Sequence, residues 1–126
     1  MRIDVLLGEA QIAPADVADR VVVVIDVLRA ATTVAAALDA GARAVIRFET
    51  VDETASRAKA CARGEVQLAG ERRMVKIDGF DLGNSPAEYT PASVDGRTIL
   101  YTTTNGTMAL TATHGARSCF FAAFVN

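Results

Sequence analysis

Runs of apolar residues along this chain are short, and they come in two alternating kinds. The first is dominated by β-branched residues. Residues 3–7 (IDVLL) and 44–48 (AVIRF) read as strands, and residues 21–27 (VVVVIDV) are apolar at nearly every position. A run without polar alternation fits a strand covered on both faces, as in a parallel sheet. The second kind is alanine-rich and helical. Residues 30–40 and 52–63 predict helices, with Gly41 and Gly64 just past their ends. Residues 66–69, 98–101 and 118–125 predict further strands, and a helix over 106–114, closed by Gly115, separates the last two. Ser85-Pro86-Ala87-Glu88 has the form of a capping box with proline at the first helical position, so a short helix is expected there. Residues 70–84 are polar, contain glycines at no regular period, and read as a long loop.

Alternating strands and helices predict an α/β fold: a layered α/β/α arrangement around a mostly parallel or mixed sheet, with right-handed crossovers. Residues 1–126 are enough for a single domain of this kind. A strand over 118–125 with nothing to cover it suggests an incomplete domain. Its open edge would favour a homo-oligomer or a complementing chain.

Composition narrows the chemistry. The net charge is −2, so the basic footprint of a nucleic-acid binder is missing. No apolar run is long enough to span a membrane as a helix. Two cysteines with no CxxC spacing argue against a disulfide framework and for a reducing, cytoplasmic setting; Cys61 and Cys119 are expected as core thiols. His114 is the sole histidine, so mechanisms that need a histidine pair are excluded within the chain. It is expected in the last turn of its helix, as a partner of the helix dipole.

Ligands of open α/β sheets sit beyond the carboxyl ends of strands, where helices begin. Two segments hold that position: Asp26 to Thr33, and Thr102 to Thr107. Hydroxyls and free amides at a helix start favour a phosphate or sulfonate, drawing on Thr32, Thr33, Thr103, Thr104, Asn105, Gly106 and Thr107. The same residues also make ordinary N-caps. Asp26 ends a run expected to be buried, where a lone carboxylate is costly. It suits a Mg²⁺ ligand, a nucleophile toward phosphorus, a structural partner of Arg29, or a helix cap. Between residues 70 and 85, Glu71 and Asp81 offer metal ligands, and Arg72, Arg73 and Lys76 offer cations; a solvated surface loop explains them equally well. There is no P-loop, no GxGxxG fingerprint, and no second acid two residues after Asp26.

In these segments the chain resembles the 2-phosphosulfolactate phosphatase family. The resemblance rests on VVVIDVLRAATT (22–33), KIDGFDLGNSPAEY (76–89) and TTTNGTMAL (102–110), with support from residues 68–72 and 121–126. It runs over nearly the whole chain, which resembles the N-terminal half of the longer family members. It implies a cytoplasmic Mg²⁺-dependent hydrolase that removes phosphate from 2-phospho-3-sulfolactate, a step of coenzyme M synthesis in methanogens. Family members usually carry glycines where Arg73 and Met74 stand, and a hydroxyl in place of Ala31. On residue chemistry, Asp26 is expected to bind Mg²⁺ with Glu71 or Asp81 assisting. Arg29 and Arg72 would neutralise phosphoryl oxygens, and Thr103, Thr104, Asn105 and Gly106 would cradle the rest. Thr32, Thr33, Asn84, Ser85 and Thr107 complete the expected substrate contacts, and Lys76 would meet a sulfonate or carboxylate.

Overall fold

The structure, a computed structural model, describes residues 2–7, 11–62 and 64–126, with the backbone alone at 106–108. In chain order the elements are α1 (Pro14–Val17), β1 (Val21–Ile25), α2 (Ala30–Asp39), β2 (Ala44–Arg47), α3 (Val51–Lys59), β3 (Val66–Arg72), β4 (Val75–Lys76), α4 (Pro91–Val94), β5 (Thr98–Thr102), α5 (Gly106–Thr111) and β6 (Ser118–Ala122). The expected α/β class is observed. No described helix is long and apolar enough to cross a membrane.

The strands form two sheets rather than one. The larger has the order β2-β5-β3-β4. Here β5 pairs in parallel with β2 and with β3, while β4 turns back antiparallel on β3. The smaller is a parallel pair of β1 and β6, in register from Val21 opposite Ser118 to Ile25 opposite Ala122.

Side chains alternate between faces along each strand. One face of the large sheet carries Ala69, Ile99 and Tyr101, which join Ala30 and Ala37 of α2 in the core. The opposite face carries Thr102 and Arg72, and α3 packs on β3 and β5 there. Thr50 caps α3 with its hydroxyl, accepting the Glu53 amide, and Glu53 reciprocates.

Several expectations are corrected. Residues 2–7 form no strand: they are exposed, and Asp4 ties them to the rest of the chain by an ion pair with Arg20 at 2.6 Å. β1 is not covered on both faces, because it has one neighbour, and its exposure alternates along the strand. The long loop is shorter than expected. β3 runs on to Arg72 and turns through Arg73 and Met74 into β4. The capping box fails as well. Residues 86–88 make a single 3-10 turn that the Ser85 side chain does not cap, and the Glu88 carboxylate accepts the Gly83 amide instead. α5 ends before His114, so that residue is not in a last helical turn. Cys119 is exposed rather than a core thiol, since the outer part of β6 lacks cover.

Candidate functional site

Asp26 follows β1 directly, and its amide donates to the Ala122 carbonyl at the end of β6. Its half-buried carboxylate accepts the Ala30 amide at the start of α2. Burial pushes this carboxyl above its ordinary value, and the one amide bond only partly opposes that. Among the described residues no ion pair joins Asp26 to Arg29, so the structural pairing considered above is not formed. Asp26 is therefore a carboxylate without a cation.

Glu71 has the opposite environment. It is only 7% exposed, in β3 beside the end of β5. Oε1 accepts the Thr104 amide at 2.8 Å, and Oε2 accepts the Met74 amide at 2.8 Å. The Thr104 hydroxyl donates to Oε2 at 3.3 Å. Burial alone would raise this carboxyl, but the two amides, the hydroxyl and the charge of Arg72 together outweigh it and hold the group below its usual range. Glu71 thus clamps the segment after β5 to the β3–β4 hairpin.

Tyr101 is buried in β5. Burial raises its phenol far above the ordinary tyrosine range; the charges of Tyr89, Asp26 and Glu71 push in the same direction, and that of Arg29 opposes them. Asp26, Arg29 and Glu71 therefore all act on this phenol through their charge. The Tyr101 hydroxyl donates to Asn84 Oδ1 at 2.5 Å. Thr33 in turn donates to the Asn84 carbonyl at 3.2 Å, and the Tyr89 hydroxyl donates to the Gly83 carbonyl at 2.7 Å. The strand-end segments carrying Asp26 and Thr104 thus lie on one side of the molecule, with the Gly83-Asn84-Ser85 segment fixed beside them.

The expected residues divide accordingly. Thr104 and Asn105 are exposed at the site, and Ser85 is half-buried. Lys76 is exposed and opposite Glu71 in the hairpin register, so it shares that face of the sheet. Thr33 is fully buried and Thr103 nearly so, and Thr32 donates to the Val27 carbonyl at 2.6 Å. Gly106 opens α5; the side chains of residues 106–108, Thr107 included, lie outside the described residues.

Two residues point elsewhere. Arg72 is next to Glu71 in a strand and so faces the other way. Its guanidinium donates to the Thr102 hydroxyl at 2.8 Å and to the Glu49 carbonyl at 3.1 Å. Asp81 accepts the Leu68 amide at 2.8 Å and lines a separate groove with Cys61, Gln67 and Arg97. Among the described residues no three His, Cys, Asp or Glu side chains cluster as a ready cation cage. Of the three acids expected to bind a cation, Glu71 has both oxygens occupied by amides, Asp81 bonds the Leu68 amide in the separate groove, and Asp26 keeps a single amide bond. Tyr101 was not singled out from the sequence. The only signal was a phenol immediately before the hydroxyl cluster, in a strand that looked like ordinary core.

The family model described as 2-phosphosulpholactate phosphatase matches residues 7–126. A relative from Clostridium beijerinckii is 44% identical over the whole chain, which covers 53% of that relative's length. One from Clostridium botulinum is 47% identical with the same coverage. One from Symbiobacterium thermophilum is 47% identical over 91% of the chain and 50% of its own length. All three are named probable 2-phosphosulfolactate phosphatase. The chain spans about half the length of the relatives it matches, and it belongs to the 2-phosphosulfolactate phosphatase family.

Proposed function

We propose that the cluster around Tyr101 hydrolyses the phosphate monoester of 2-phospho-3-sulfolactate, or of a similar small phosphorylated acid, in the cytoplasm and with Mg²⁺ as cofactor. The observation that carries this reading is the Glu71 clamp. It ties the Thr104 segment to the β3–β4 hairpin, while the Asp26 carboxylate keeps one amide bond and no ion pair among the described residues.

Asp26 would hold the cation, and its raised carboxyl is the one such a charge would restore to its ionised form. Bound Mg²⁺ supplies charge neutralisation of the phosphoryl oxygens and a more acidic bound water. Arg29 neutralises a phosphoryl oxygen and Asn105 donates to another, while the Thr104 amide and hydroxyl are held by Glu71 and fix the segment in place. Lys76, on the Glu71 face, meets the sulfonate or carboxylate. Glu71 acts by positioning: both of its oxygens are occupied by amides, so its part is to fix the Thr104 segment. Arg72 has the same character, through Thr102. An aspartyl-phosphate on Asp26 is the competing chemistry, and intact mass after turnover distinguishes it from direct attack by water.

Phosphate release from 2-phosphosulfolactate tests the reading. Asp26→Asn is expected to lower turnover by about 100-fold or more while circular dichroism stays unchanged. Release that survives Asp26→Asn, or that persists in a chelator, overturns it. A second reading is favoured by the half-length coverage of the relatives: an anion-binding chain that turns over only with a second chain or the rest of the family sequence. Sulfate or phosphate binding without release would support that reading.

A further inference from the structure

The β1–β6 sheet is built for more cover than it has. The strands are parallel and in register, so Val21, Val23 and Ile25 share one face with Phe120, while Val24 and Phe121 share the other. The second face is occupied, since Phe121 packs against the core. The first is open. Val21 is 50% exposed, Val23 52%, Ile25 70% and Phe120 58%, and Leu28 and Phe124, past the strand ends in sequence, are exposed as well. Parallel pairs occur almost only where helices cover both faces. A two-stranded sheet whose edges pair with no further strand among the described residues is also marginal by itself. Contiguous apolar surface of this kind marks an interaction site.

We propose that this open face and its edges are the docking surface for the part of the family sequence that the chain does not span. That part is close to as long as the chain itself, enough for several helices and strands. Its occupant is an α/β segment that presents an apolar helix to Val23, Ile25 and Phe120 and adds strand pairing beside them. The patch carries no charged side chain in β1 or β6, so the complementary surface is apolar too. The inference stands on the fold and the coverage, and holds whether or not the chain is a phosphatase.

The test is co-production of this chain with the unmatched segment of the Clostridium beijerinckii relative, as two polypeptides in the same cells, so that the segment need not fold alone. A one-to-one complex is expected on purification. Val23→Lys together with Phe120→Lys alters exposed positions only, and should leave the isolated chain folded while weakening the complex at least about tenfold. Leu38→Lys, an exposed apolar position on α2, should leave the complex unchanged. Three results overturn the proposal: no complex with a chain that is folded and monomeric, a complex indifferent to the double lysine variant, or a homodimer of this chain that buries the same face and excludes the segment.

Discussion

Strands β1 and β5 are both five residues long, and their sequences suggest the reverse of their surroundings. VVVVI is uniformly apolar, yet its residues alternate between exposed and half-buried. TILYT has a hydroxyl at each end and a phenol, yet all five residues are buried. The difference is neighbours. β5 lies between β2 and β3 with α2 on one face and α3 on the other, whereas β1 has β6 alone and cover on one side. Burial follows from position in the sheet, and polarity is tolerated wherever a partner exists: Thr98 accepts from Arg43, Thr102 from Arg72, and Tyr101 donates to Asn84.

The sharpest way to break that comparison is to shorten one side chain in each strand. Ile99 is fully buried, and Ile99→Ala is expected to cost about 2–5 kcal/mol in urea unfolding. Val23→Ala removes atoms from a half-exposed side chain and is expected to cost under about 1 kcal/mol. Equal losses would mean that β1 is more deeply packed than its exposure indicates.

Gly70 tests how closely β3 and β5 approach. It pairs with Thr102 across the sheet at a φ of 147°, and an added Cβ would collide with the Thr102 carbonyl oxygen. That atom is backbone and cannot swing aside. Gly70→Ala is expected to destabilise by about 1–3 kcal/mol, read in the same unfolding experiment. Because Thr102 leads directly to the Thr104 segment, phosphate binding should weaken along with stability.

The alternation of elements, the position of α2 and the pairing of chemistry with strand ends were legible because each has a local cause: β-branched runs, alanine spacing, a glycine after the helix. Three things were not. That β1 and β6 stand apart from the larger sheet depends on pairing between residues about a hundred positions apart, which no local pattern encodes. The opposed directions of Glu71 and Arg72 follow from strand alternation, but only once β3 is known to continue past Ala69. The failure of the Ser85 cap reflects competition, since Glu88 found the Gly83 amide rather than the start of its own helix. The candidate acids divide in the same way: Glu71 bonds the Thr104 segment, Asp26 bonds the Ala30 amide, Asp81 bonds the Leu68 amide, and Tyr101 carried no local signal of its bond to Asn84.

The two acids extend the comparison to pH. Glu71 is held below its ordinary value in the folded chain, so its contribution to stability is complete above the unfolded value of 4.5 and is lost as pH falls through the folded one. Glu71→Gln is expected to cost roughly 1–2 kcal/mol at neutral pH, because an amide nitrogen must face a backbone N–H. The gap to the parent chain should narrow in acid. Asp26 has the opposite sign: its raised carboxyl opposes folding once ionised, and that penalty disappears as pH falls through the folded value toward 3.8. Asp26→Asn should therefore be neutral or stabilising at pH 7 and lose its advantage in acid. Stability profiles of the two variants that run parallel would contradict the contrast between the two acids.

A further small effect lies at the hairpin tip, where the local sequence and its backbone disagree. Arg73 and Met74 form the two-residue turn between β3 and β4, with φ of 52° and 66°. Such turns favour glycine, asparagine or aspartate because a Cβ crowds the backbone at positive φ. Neither side chain is needed for the bonds that tie the turn to the site. The Arg73 amide donates to the Thr104 hydroxyl at 3.4 Å, and the Met74 amide donates to Glu71. Both bonds are backbone-donated and survive substitution by glycine. Replacing both residues, Arg73→Gly and Met74→Gly, is therefore expected to stabilise the chain by about 1 kcal/mol, because the relief of left-handed strain exceeds the extra flexibility of the unfolded chain. Thermal unfolding reads this as a rise of a few degrees, with the acid dependence set by Glu71 unchanged. A fall instead would mean that the exposed Met74 side chain, or the charge of Arg73, holds the turn in place, and the Glu71 clamp would then depend on more than its two amides.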